Sequence, residues 1–331
     1  MAGSETRSEI LHLLQQSDRG YVSGGELCRA LGVSRAAVWK QIEQLRQVGY
    51  VIEAVPSRGY CLTSSPDHID RVTLKQALAD CRLDWDPCFV ENIPSTNAYA
   101  AELAEKGGRE GTVVLAEQQS AGKGRLGRHW TSPPGVNLYV SMVLRPSIPP
   151  RDAPQLTFLS SVAVARAVKE VTGLEPKVKW PNDILIAGKK VAGLLNEMSA
   201  ETEGVHHVIL GIGLNVNMTQ EQFPEDLRYP ATSLALAAGR SFPRQALLVA
   251  LLRHLDALYG LYQHEGAAPI VSAWESWFDL VGERIEVASD ETFQGTVLGL
   301  AEDGALLVRR DNGCSERVLA GDVRPVVGRY P

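Results

Sequence analysis

The chain has 331 residues, of which 44% are hydrophobic and 22% charged, a composition typical of a soluble globular protein with two or three domains. No apolar run reaches the length that spans a bilayer, and no charged-then-apolar leader opens the chain, so we expect a cytoplasmic protein without a membrane partner. The five cysteines, an odd number without metal-ligand spacing, favour free thiols over a disulfide framework or a structural metal site.

The charge is unevenly distributed along the chain. The net charge of the whole chain is −6, but residues 1–65 carry a net charge of +1 and the remainder carries −7. Only the first segment could therefore present a face to DNA. Because that face would be weakly basic, we expect it to need dimerisation to gather enough phosphate contacts.

Residues 1–65 show the pattern helix, helix, helix, hairpin that is typical of a winged helix-turn-helix. Residues 6–9 and 23–26 each fit a capping box that precedes an apolar helical stretch. Gly32 then supplies a turn, and Ser34 is placed to cap the third helix. The pattern predicts a DNA-binding domain over residues 1–65 whose third helix enters a major groove.

The predicted wing consists of two short strands, 50–55 and 59–62, and a polar segment at 63–67 is the predicted linker to the rest of the chain. The candidate DNA-binding residues lie at the start of the third helix, on its exposed side and at the wing tip. They are Ser34, Arg35, Lys40, Gln44 and Arg58. A small helical domain that binds another protein remains the alternative.

The central part of the chain, residues 72–275, mixes strands and helices. Alternating apolar residues predict a half-buried strand over 136–144, and an apolar run predicts a buried strand over 205–217. Helical spacing predicts helices over 155–171 and 244–264. Helices and strands without strict alternation predict an α+β arrangement in which one face of a mixed sheet is left for a ligand.

The C-terminal segment, residues 281–330, has a different pattern. Four short apolar stretches at 285–287, 295–300, 305–309 and 317–319 are separated by glycine-containing turns. This spacing predicts a third domain, a small β-barrel. The fold class is therefore α+β with several domains.

The most informative segment is residues 122–130, Gly-Lys-Gly-Arg-Leu-Gly-Arg-His-Trp. Its glycines allow backbone N–H groups to approach a ligand closely, and Lys123, Arg125 and Arg128 offer positive charge to phosphate or carboxylate. Trp130 adds a flat apolar face for a ring. The segment predicts a loop that folds over a small anion attached to a base.

The same glycines also fit the dinucleotide pattern G-x-G-x-x-G at Gly122, Gly124 and Gly127. That pattern must open a helix, but Pro133 and Pro134 follow shortly afterwards and cannot form the body of a crossover helix. A nicotinamide-type site is therefore disfavoured. A solvated basic surface loop remains open as the plain alternative.

Four further motifs accompany the loop: Ser-Thr-Asn at 95–97, Lys-Trp-Pro-Asn-Asp at 179–183, Lys-Val-Ala-Gly-Leu-Leu-Asn-Glu at 190–197 and Gly-Ile-Gly-Leu-Asn-Val-Asn at 211–217. In this order and spacing, over essentially the whole chain, they closely resemble the biotin–protein ligases. The N-terminal segment further resembles the subgroup that doubles as biotin operon repressor.

The resemblance implies a two-step reaction that uses ATP and Mg²⁺. Biotin is activated to biotinyl-5′-AMP, and biotin is then transferred to a lysine of the biotin carboxyl carrier protein of acetyl-CoA carboxylase. It also implies an SH3-like C-terminal domain, repression of biotin-synthesis genes by binding operator DNA, and a homodimer promoted by biotinyl-5′-AMP.

The resemblance assigns catalysis to Lys190, Arg125 and Asp183, with Asp183 also near the Mg²⁺ that accompanies ATP. It assigns the binding of biotin and the adenylate to a larger set, which is Ser95, Thr96, Asn97, Gln119, Lys123, Gly124, Arg125, Arg128, Trp130, Lys179, Asn182, Lys190, Gly193, Gly211 and Asn215.

Within this set, residues 95–97 and Gln119 would bind the ureido ring, and the loop cations would bind the carboxylate and phosphate. Trp130 would face the adenine or wall the loop, and Asn215 could read the adenine edge. Position 123 is arginine in many relatives and lysine here, which puts a bidentate contact at that position in doubt.

Plain structural roles remain open for several of these residues. Thr96 could cap a helix over 97–106, Lys190 could be a surface lysine in a turn, and Asp183 could belong to a strand turn. Among functions, a lipoate-type protein ligase, a regulator that only senses biotin, and a ligase without repressor activity are the alternatives.

Overall fold

A computed structural model describes residues 2–15, 20–47, 50–56, 58–64, 67–201, 204–227, 229–288, 291–301 and 303–326. The chain forms two compact units, Met1–Thr73 and Leu74–Pro331. The predicted domain ends at residues 65 and 330 lie outside the described residues, and the predicted bounds of the three domains remain predictions. None of the helices in the described ranges is long and apolar enough to cross a membrane.

The first unit contains three helices followed by a hairpin. Its elements are α1 (Ala2–Gln15), α2 (Gly24–Leu31), α3 (Arg35–Gln47), β1 (Val51–Val55) and β2 (Gly59–Ser64). One apolar cluster joins them, with Ile10, Leu27, Val38, Ile42 and Ile52 buried at its centre. The predicted helix-turn-helix with its wing is therefore confirmed.

Local side-chain caps explain two of these helix boundaries. The Ser23 hydroxyl accepts the Glu26 N–H while the Glu26 carboxylate accepts the Ser23 N–H, so the capping box predicted for α2 is confirmed. Ser34 accepts the Ala37 N–H at the start of α3. The capping box predicted at residues 6–9 is wrong, because α1 already begins at Ala2 and a Thr-x-x-Glu sequence is also tolerated inside a helix.

The second unit is built on a seven-stranded sheet with helices packed on it. Its first elements are α4 (Arg71–Ala77, which crosses the unit boundary), β3 (Asp86–Ile93), α5 (Thr96–Glu105), β4 (Thr112–Gln119), β5 (Leu138–Leu144) and α6 (Gln155–Thr172). The following elements are β6 (Pro176–Lys179), β7 (Asp183–Ile186), β8 (Lys189–Glu201), β9 (Gly204–Leu214), α7 (Leu234–Ala238), α8 (Arg244–Glu265) and α9 (Ala268–Glu275).

The strands of this sheet lie in the order β3-β4-β5-β9-β8-β7-β6, and only β3 and β4 run parallel. All seven residues of β5 are buried, so the prediction of a half-buried strand is wrong. The alternating apolar residues indicated only one of the two buried faces of β5. The other face carries Tyr139, Ser141 and Val143, and α5 packs on it through Ala100 and Ala104.

The predicted β domain is confirmed in the C-terminal part of the second unit, where the strands pair antiparallel. Its strands are β10 (Arg284–Ala288), β11 (Thr292–Leu300), β12 (Leu306–Arg310), β13 (Ser315–Val318) and β14 (Asp322–Pro325). They pair in the order β13-β12-β11-β10-β14. The sequence did not predict β14. The buried Trp180 indole N–H donates to the Gly304 carbonyl, which ties this domain to the central sheet.

Candidate active site

A cavity of about 690 Å³ lies between the sheet, the start of α5, the 122–130 loop and β14. Its size is that of a small-molecule site. Every residue predicted to bind the ligand or to act on it lines this cavity. They are Ser95, Thr96, Asn97, Gln119, Lys123, Gly124, Arg125, Arg128, Trp130, Lys179, Asn182, Asp183, Lys190, Gly193, Gly211 and Asn215.

One end of the cavity is formed by the start of α5 and the end of β4. Thr96 is the first helical residue and Ser95 holds the N-cap position, so the alternative that Thr96 caps a helix over 97–106 is wrong. The Thr96 N–H donates to the Gln119 side-chain oxygen at 2.8 Å. This end of the cavity is therefore lined by short, neutral hydrogen-bonding groups.

The floor of the cavity is made by glycines on paired strands. Gly193 in β8 lies opposite Gly213 in β9, and a Cβ on either would approach the Trp130 ring to 2.9 or 2.5 Å. The indole therefore lies directly on backbone that no side chain covers. The Trp130 ring N–H is buried and has no hydrogen-bond partner among the described residues. A ligand acceptor would satisfy it.

The 122–130 loop is a small hairpin. The Trp130 N–H donates to the Gly122 carbonyl at 2.8 Å, and the Gly124 N–H donates to the Arg128 carbonyl at 2.7 Å. Its tip carries Leu126 in the left-handed region, with φ of 57° and 76% of the residue exposed. Between the loop and β5 the chain forms no helix, in line with the argument against a dinucleotide fold.

The three loop cations have different surroundings. Arg125 donates to the Asn182 side-chain oxygen at 3.2 Å, and burial lowers the pKa of its guanidinium, which nevertheless stays charged. Arg128 pairs with Asp322 of β14 at 2.6 Å. Lys123 is exposed beside His129 on the opposite arm of the hairpin. Arg128 therefore connects the loop to the C-terminal β domain.

The positive centre of the cavity surrounds Asp183. Lys190 Nζ lies 2.6 Å from one carboxylate oxygen, and Lys179 Nζ lies 3.9 Å from the other. Lys179 is buried, and this burial lowers the pKa of its amine. Lys190 also lies 5.3 Å from the centre of the Trp130 ring. Lys190 is thus part of the cavity wall, whereas its neighbour Lys189 is exposed.

Asn215 hydrogen-bonds to neighbouring segments of the chain. Its side chain is buried, donates to the Thr232 carbonyl at 3.2 Å and lies 3.4 Å from the Asn137 amide nitrogen. In this structure the amide therefore holds the segment that contains Thr232 against the sheet. These contacts use one of the two amide protons and one lone pair of the oxygen, and Asn215 also lines the cavity.

Sequence reasoning missed two parts of the lining. One is the segment after β9, which contributes aromatic and apolar side chains, and the other is the start of β14. These residues are Phe223, Pro224, Asp226, Leu227, Tyr229, Asp322, Val323 and Arg324. The only sequence signal for Tyr229 is an aromatic residue in a polar loop. In the structure its ring centre lies 4.7 Å from Lys179 Nζ.

The candidate DNA-binding residues belong to the first unit. Arg35 and Lys40 are exposed on α3, Gln44 is half-buried, and Arg58 at the wing lies 5.7 Å from the centre of the Tyr21 ring. Trp39, to which the sequence analysis gave no role, is 58% exposed on the same helix.

Three family profiles match this chain. The biotin/lipoate A/B protein ligase family matches residues 89–215, an HTH domain matches 6–61, and the biotin protein ligase C-terminal domain matches 280–324. The bifunctional ligase/repressor BirA of Bacillus subtilis is 38% identical over 97% of this chain and 98% of its own length. The chain belongs to the family of BirA ligase/repressors. The predicted family is therefore confirmed.

More distant relatives agree with this assignment. BirA of Escherichia coli is 34% identical over 91% of this chain and 92% of its own length. Among solved structures, the biotin protein ligase from Aquifex aeolicus in complex with biotin and ATP is 28% identical. The match covers 72% of this chain and 97% of the Aquifex aeolicus chain, with a TM-score of 0.62.

Proposed function

We propose that this chain is a biotin–protein ligase that activates biotin with ATP, transfers it to a carrier-protein lysine, and represses biotin-synthesis genes when loaded with biotinyl-5′-AMP. The observation that carries the proposal is a single cavity with a neutral hydrogen-bonding end, a glycine floor and a cationic end. This arrangement matches a ring-bearing carboxylate that must meet a phosphate.

The first step forms a bond between the biotin carboxylate oxygen and the α-phosphorus of ATP, and pyrophosphate leaves. Its barrier includes bringing two anions together, so fixed positive charge lowers the barrier, and the protein needs no nucleophile of its own because the biotin carboxylate attacks. Lys190 and Arg125 line the same cavity, and Lys179 adds a buried amine. Losing one well-placed group of this kind costs about 3 kcal/mol in other enzymes.

Magnesium fits this cavity as an ion delivered with ATP. Mg²⁺ usually takes one or two protein carboxylates and completes its shell with phosphate oxygens and water. Asp183 presents a carboxylate to the cavity, and its two oxygens already contact Lys190 and Lys179. Asp183 would hold the ion, which neutralises phosphate charge when bound, while the two lysines turn toward the phosphate oxygens.

The second step transfers the biotinyl group to an amine. The carrier lysine attacks the carbonyl carbon of the mixed anhydride, an amide forms, and AMP leaves with the bonding electrons. The mixed anhydride is labile in water, so the 122–130 hairpin and Trp130 have the task of covering it until the amine arrives.

The partners follow from this chemistry. A biotin carboxyl carrier protein supplies the lysine, operator DNA binds Arg35, Lys40 and Arg58, and a second copy of the chain brings a second winged helix to a two-half operator. With these partners, the proposed location of the protein is the cytoplasm. The family relationship to bifunctional ligase/repressors supports both activities.

Incubation with ATP, Mg²⁺, biotin and a biotin carboxyl carrier domain tests the ligase. We expect the mass of the carrier to rise by one biotinyl group on a single lysine. A carrier that stays unchanged with biotin but gains a lipoyl group with lipoate would favour the lipoate-type alternative. Biotin binding without pyrophosphate release would favour a regulator that only senses biotin.

A gel-shift measurement with DNA from upstream of biotin-synthesis genes tests repression. We expect a shift that strengthens when biotinyl-5′-AMP is added and weakens in the Lys40→Ala variant. If active ligase gives no shift at low salt, the winged domain does not serve repression. Sedimentation with and without biotinyl-5′-AMP tests the homodimer, and an unchanged monomer fraction would argue against ligand-driven pairing.

A further inference from the structure

The third helix of the first unit exposes a large aromatic side chain. Trp39 is the fifth residue of α3 and is 58% exposed, whereas Val38 and Ile42 of the same helix are buried in the core of the unit. A single exposed apolar side chain is common on protein surfaces, so the position of this one carries the argument. The inference below rests on the proposed repression and concerns how α3 distinguishes one DNA sequence from another.

Helical spacing places Trp39 on the outward face of α3 together with two basic residues. Residues three and four positions apart are neighbours on a helix, so Arg35 and Ala36 lie beside Trp39. By the same spacing, Lys40 lies beside Ala36. All four residues are exposed. This face is therefore a small apolar stripe flanked by two cations.

The rest of α3 is held so that this face points outward. Glu43, the single acidic residue in the sequence of α3, pairs with Arg46 at 2.6 Å. Arg46 also donates to the Ile52 carbonyl of β1 at 3.0 Å. At the other end, Ser34 accepts the Ala37 N–H. The helix is therefore capped at its start and tied to the wing near its end, and its one negative charge is offset by Arg46.

This combination of charge and apolar surface fits duplex DNA better than a protein partner. Protein–protein interfaces are depleted of lysine, and a protein that covered Trp39 and Ala36 would also cover Lys40. DNA instead offers phosphates to the cations, and the first turns of a recognition helix contact base edges in the major groove. The HTH profile matches residues 6–61, which include all of α3.

The chemistry of the major groove limits what an indole can recognise there. The groups that distinguish the bases are hydrogen-bond donors and acceptors, with one exception, the apolar C5-methyl group of thymine. The donors and acceptors suit a side chain such as Arg35, whereas the carbon face of the Trp39 ring suits the methyl group.

We propose that Trp39 is a specificity-determining residue that contacts a thymine methyl group in each half of the operator. Arg35 and Lys40 on the same face supply the charge that holds α3 in the groove. The operator should therefore contain, in each half-site, a thymine whose methyl group contributes to the affinity.

The test removes that methyl group and leaves the rest of the base pair unchanged. In DNA from upstream of biotin-synthesis genes, the bound site is located by footprinting with the full chain and biotinyl-5′-AMP. Each thymine of the site is then replaced in turn by uracil, which keeps the hydrogen-bonding groups of thymine. Affinities are measured by fluorescence anisotropy for the wild type, Trp39→Ala and Trp39→Phe.

We expect uracil at one position of a half-site to weaken binding by the wild type about fourfold, as for the loss of one buried methyl group. Uracil at this position in both half-sites should weaken it about fifteenfold, since separate base pairs contribute additively. For Trp39→Ala, thymine and uracil DNA should bind within about twofold of each other. Trp39→Phe keeps an aromatic face and should retain part of the discrimination.

Two variants serve as controls. Lys40→Ala should weaken the binding of thymine and uracil DNA by the same factor and reduce the salt dependence of the affinity, as the loss of a phosphate contact does. Val72→Ala truncates a 45% exposed apolar side chain of the same unit, outside the matched residues 6–61, and should bind as the wild type does. Every variant should still biotinylate the carrier domain, which checks that it is folded.

Three outcomes would overturn the inference. If the wild type binds the operator but is indifferent to uracil at every position, it reads no thymine methyl group. If Trp39→Ala binds more weakly but keeps the discrimination, Trp39 contacts the DNA backbone only. If Trp39→Ala binds as the wild type does, the ring serves a protein partner instead of DNA. A wild type that biotinylates the carrier but binds no DNA would remove the proposed repression together with this inference and leave the proposed ligase intact.

Discussion

The two ends of the cavity are built by different physical means. The neutral end holds Thr96 and Asn97 in short hydrogen bonds among buried groups, so its geometry is set before any ligand arrives. At the cationic end, Lys190 and Arg128 are paired with the carboxylates of Asp183 and Asp322. A phosphate must exchange with those carboxylates. The comparison indicates that one end provides selectivity. The other end provides cations that can exchange a carboxylate partner for a phosphate.

Among the tests of this difference between the two ends, Lys190→Ala has the largest expected effect. We expect adenylation, measured as pyrophosphate release, to fall by at least about a hundredfold, because the amine nearest Asp183 in the cavity is removed. Biotin binding should remain measurable, since the neutral end is untouched.

Lys189→Ala is the matched control for that variant, because Lys189 is the exposed neighbour in the same strand. Its activity should stay within about twofold of wild type, as expected for a surface change. Equal losses in both variants, or none in either, would contradict the role given to Lys190.

A glycine substitution tests the floor between the two ends. In Gly213→Ala the new Cβ would lie 2.5 Å from indole atoms of Trp130, so the ring must leave its present place. We expect adenylate binding to weaken about tenfold or more, from misplacement of the loop. Gly204→Ala is the control in the same strand, since its Cβ meets nothing within 4 Å. If calorimetry gives equal affinities for both variants, the floor does not position the loop.

Arg125→Ala sharpens the comparison at the loop. The variant loses the contact to Asn182 and one positive charge from the cavity, so we expect faster release of biotinyl-5′-AMP with little change in melting temperature. The release rate can be followed by dilution of labelled adenylate, and an effect of about fivefold or more is expected. Normal retention of the adenylate would show that Arg125 does not hold it.

The smallest effect is expected for Asp322→Asn. The pair with Arg128 is partly exposed, and such pairs contribute less than about 1 kcal/mol and weaken with salt. The variant should change the KM for ATP by less than about fivefold, and less still at high salt. Asp311→Asn, which breaks a comparable pair with Arg284 elsewhere in the β domain, should leave the KM unchanged. If the two variants show the same KM for ATP, Arg128 does not contribute to nucleotide binding.

The sequence predicted those parts of the cavity that need unusual residues. A glycine-spaced run of cations has few structural reasons to exist, so residues 122–130 could be assigned a place in a site, whereas residues 179–183 were assigned through the resemblance to the biotin–protein ligases. Phe223, Leu227 and Tyr229 were missed because apolar and aromatic side chains in a loop look the same whether they cover a ligand or a core. Nothing in the sequence relates Asp322 to Arg128, 194 residues away.

Two other limits of the sequence have plain causes. The residues of β5 were assigned to one buried face because apolar alternation cannot report that Ser141 on the other face is buried by α5 and hydrogen-bonded to Asn97. Asn215 matches a motif, but only the structure shows that its amide donates to the Thr232 carbonyl. Residue type and spacing predict chemistry well and predict the partners of buried polar groups poorly.

A crystal structure of the protein with biotinyl-5′-AMP tests the central claim most directly. The account predicts the ureido ring against Thr96 and Gln119, and the phosphate between Lys190 and Arg125, with Lys190 moved from Asp183 toward a phosphate oxygen. An adenylate bound with its ring away from Thr96, or with Lys190 still on Asp183 and the hairpin turned from the phosphate, would contradict it.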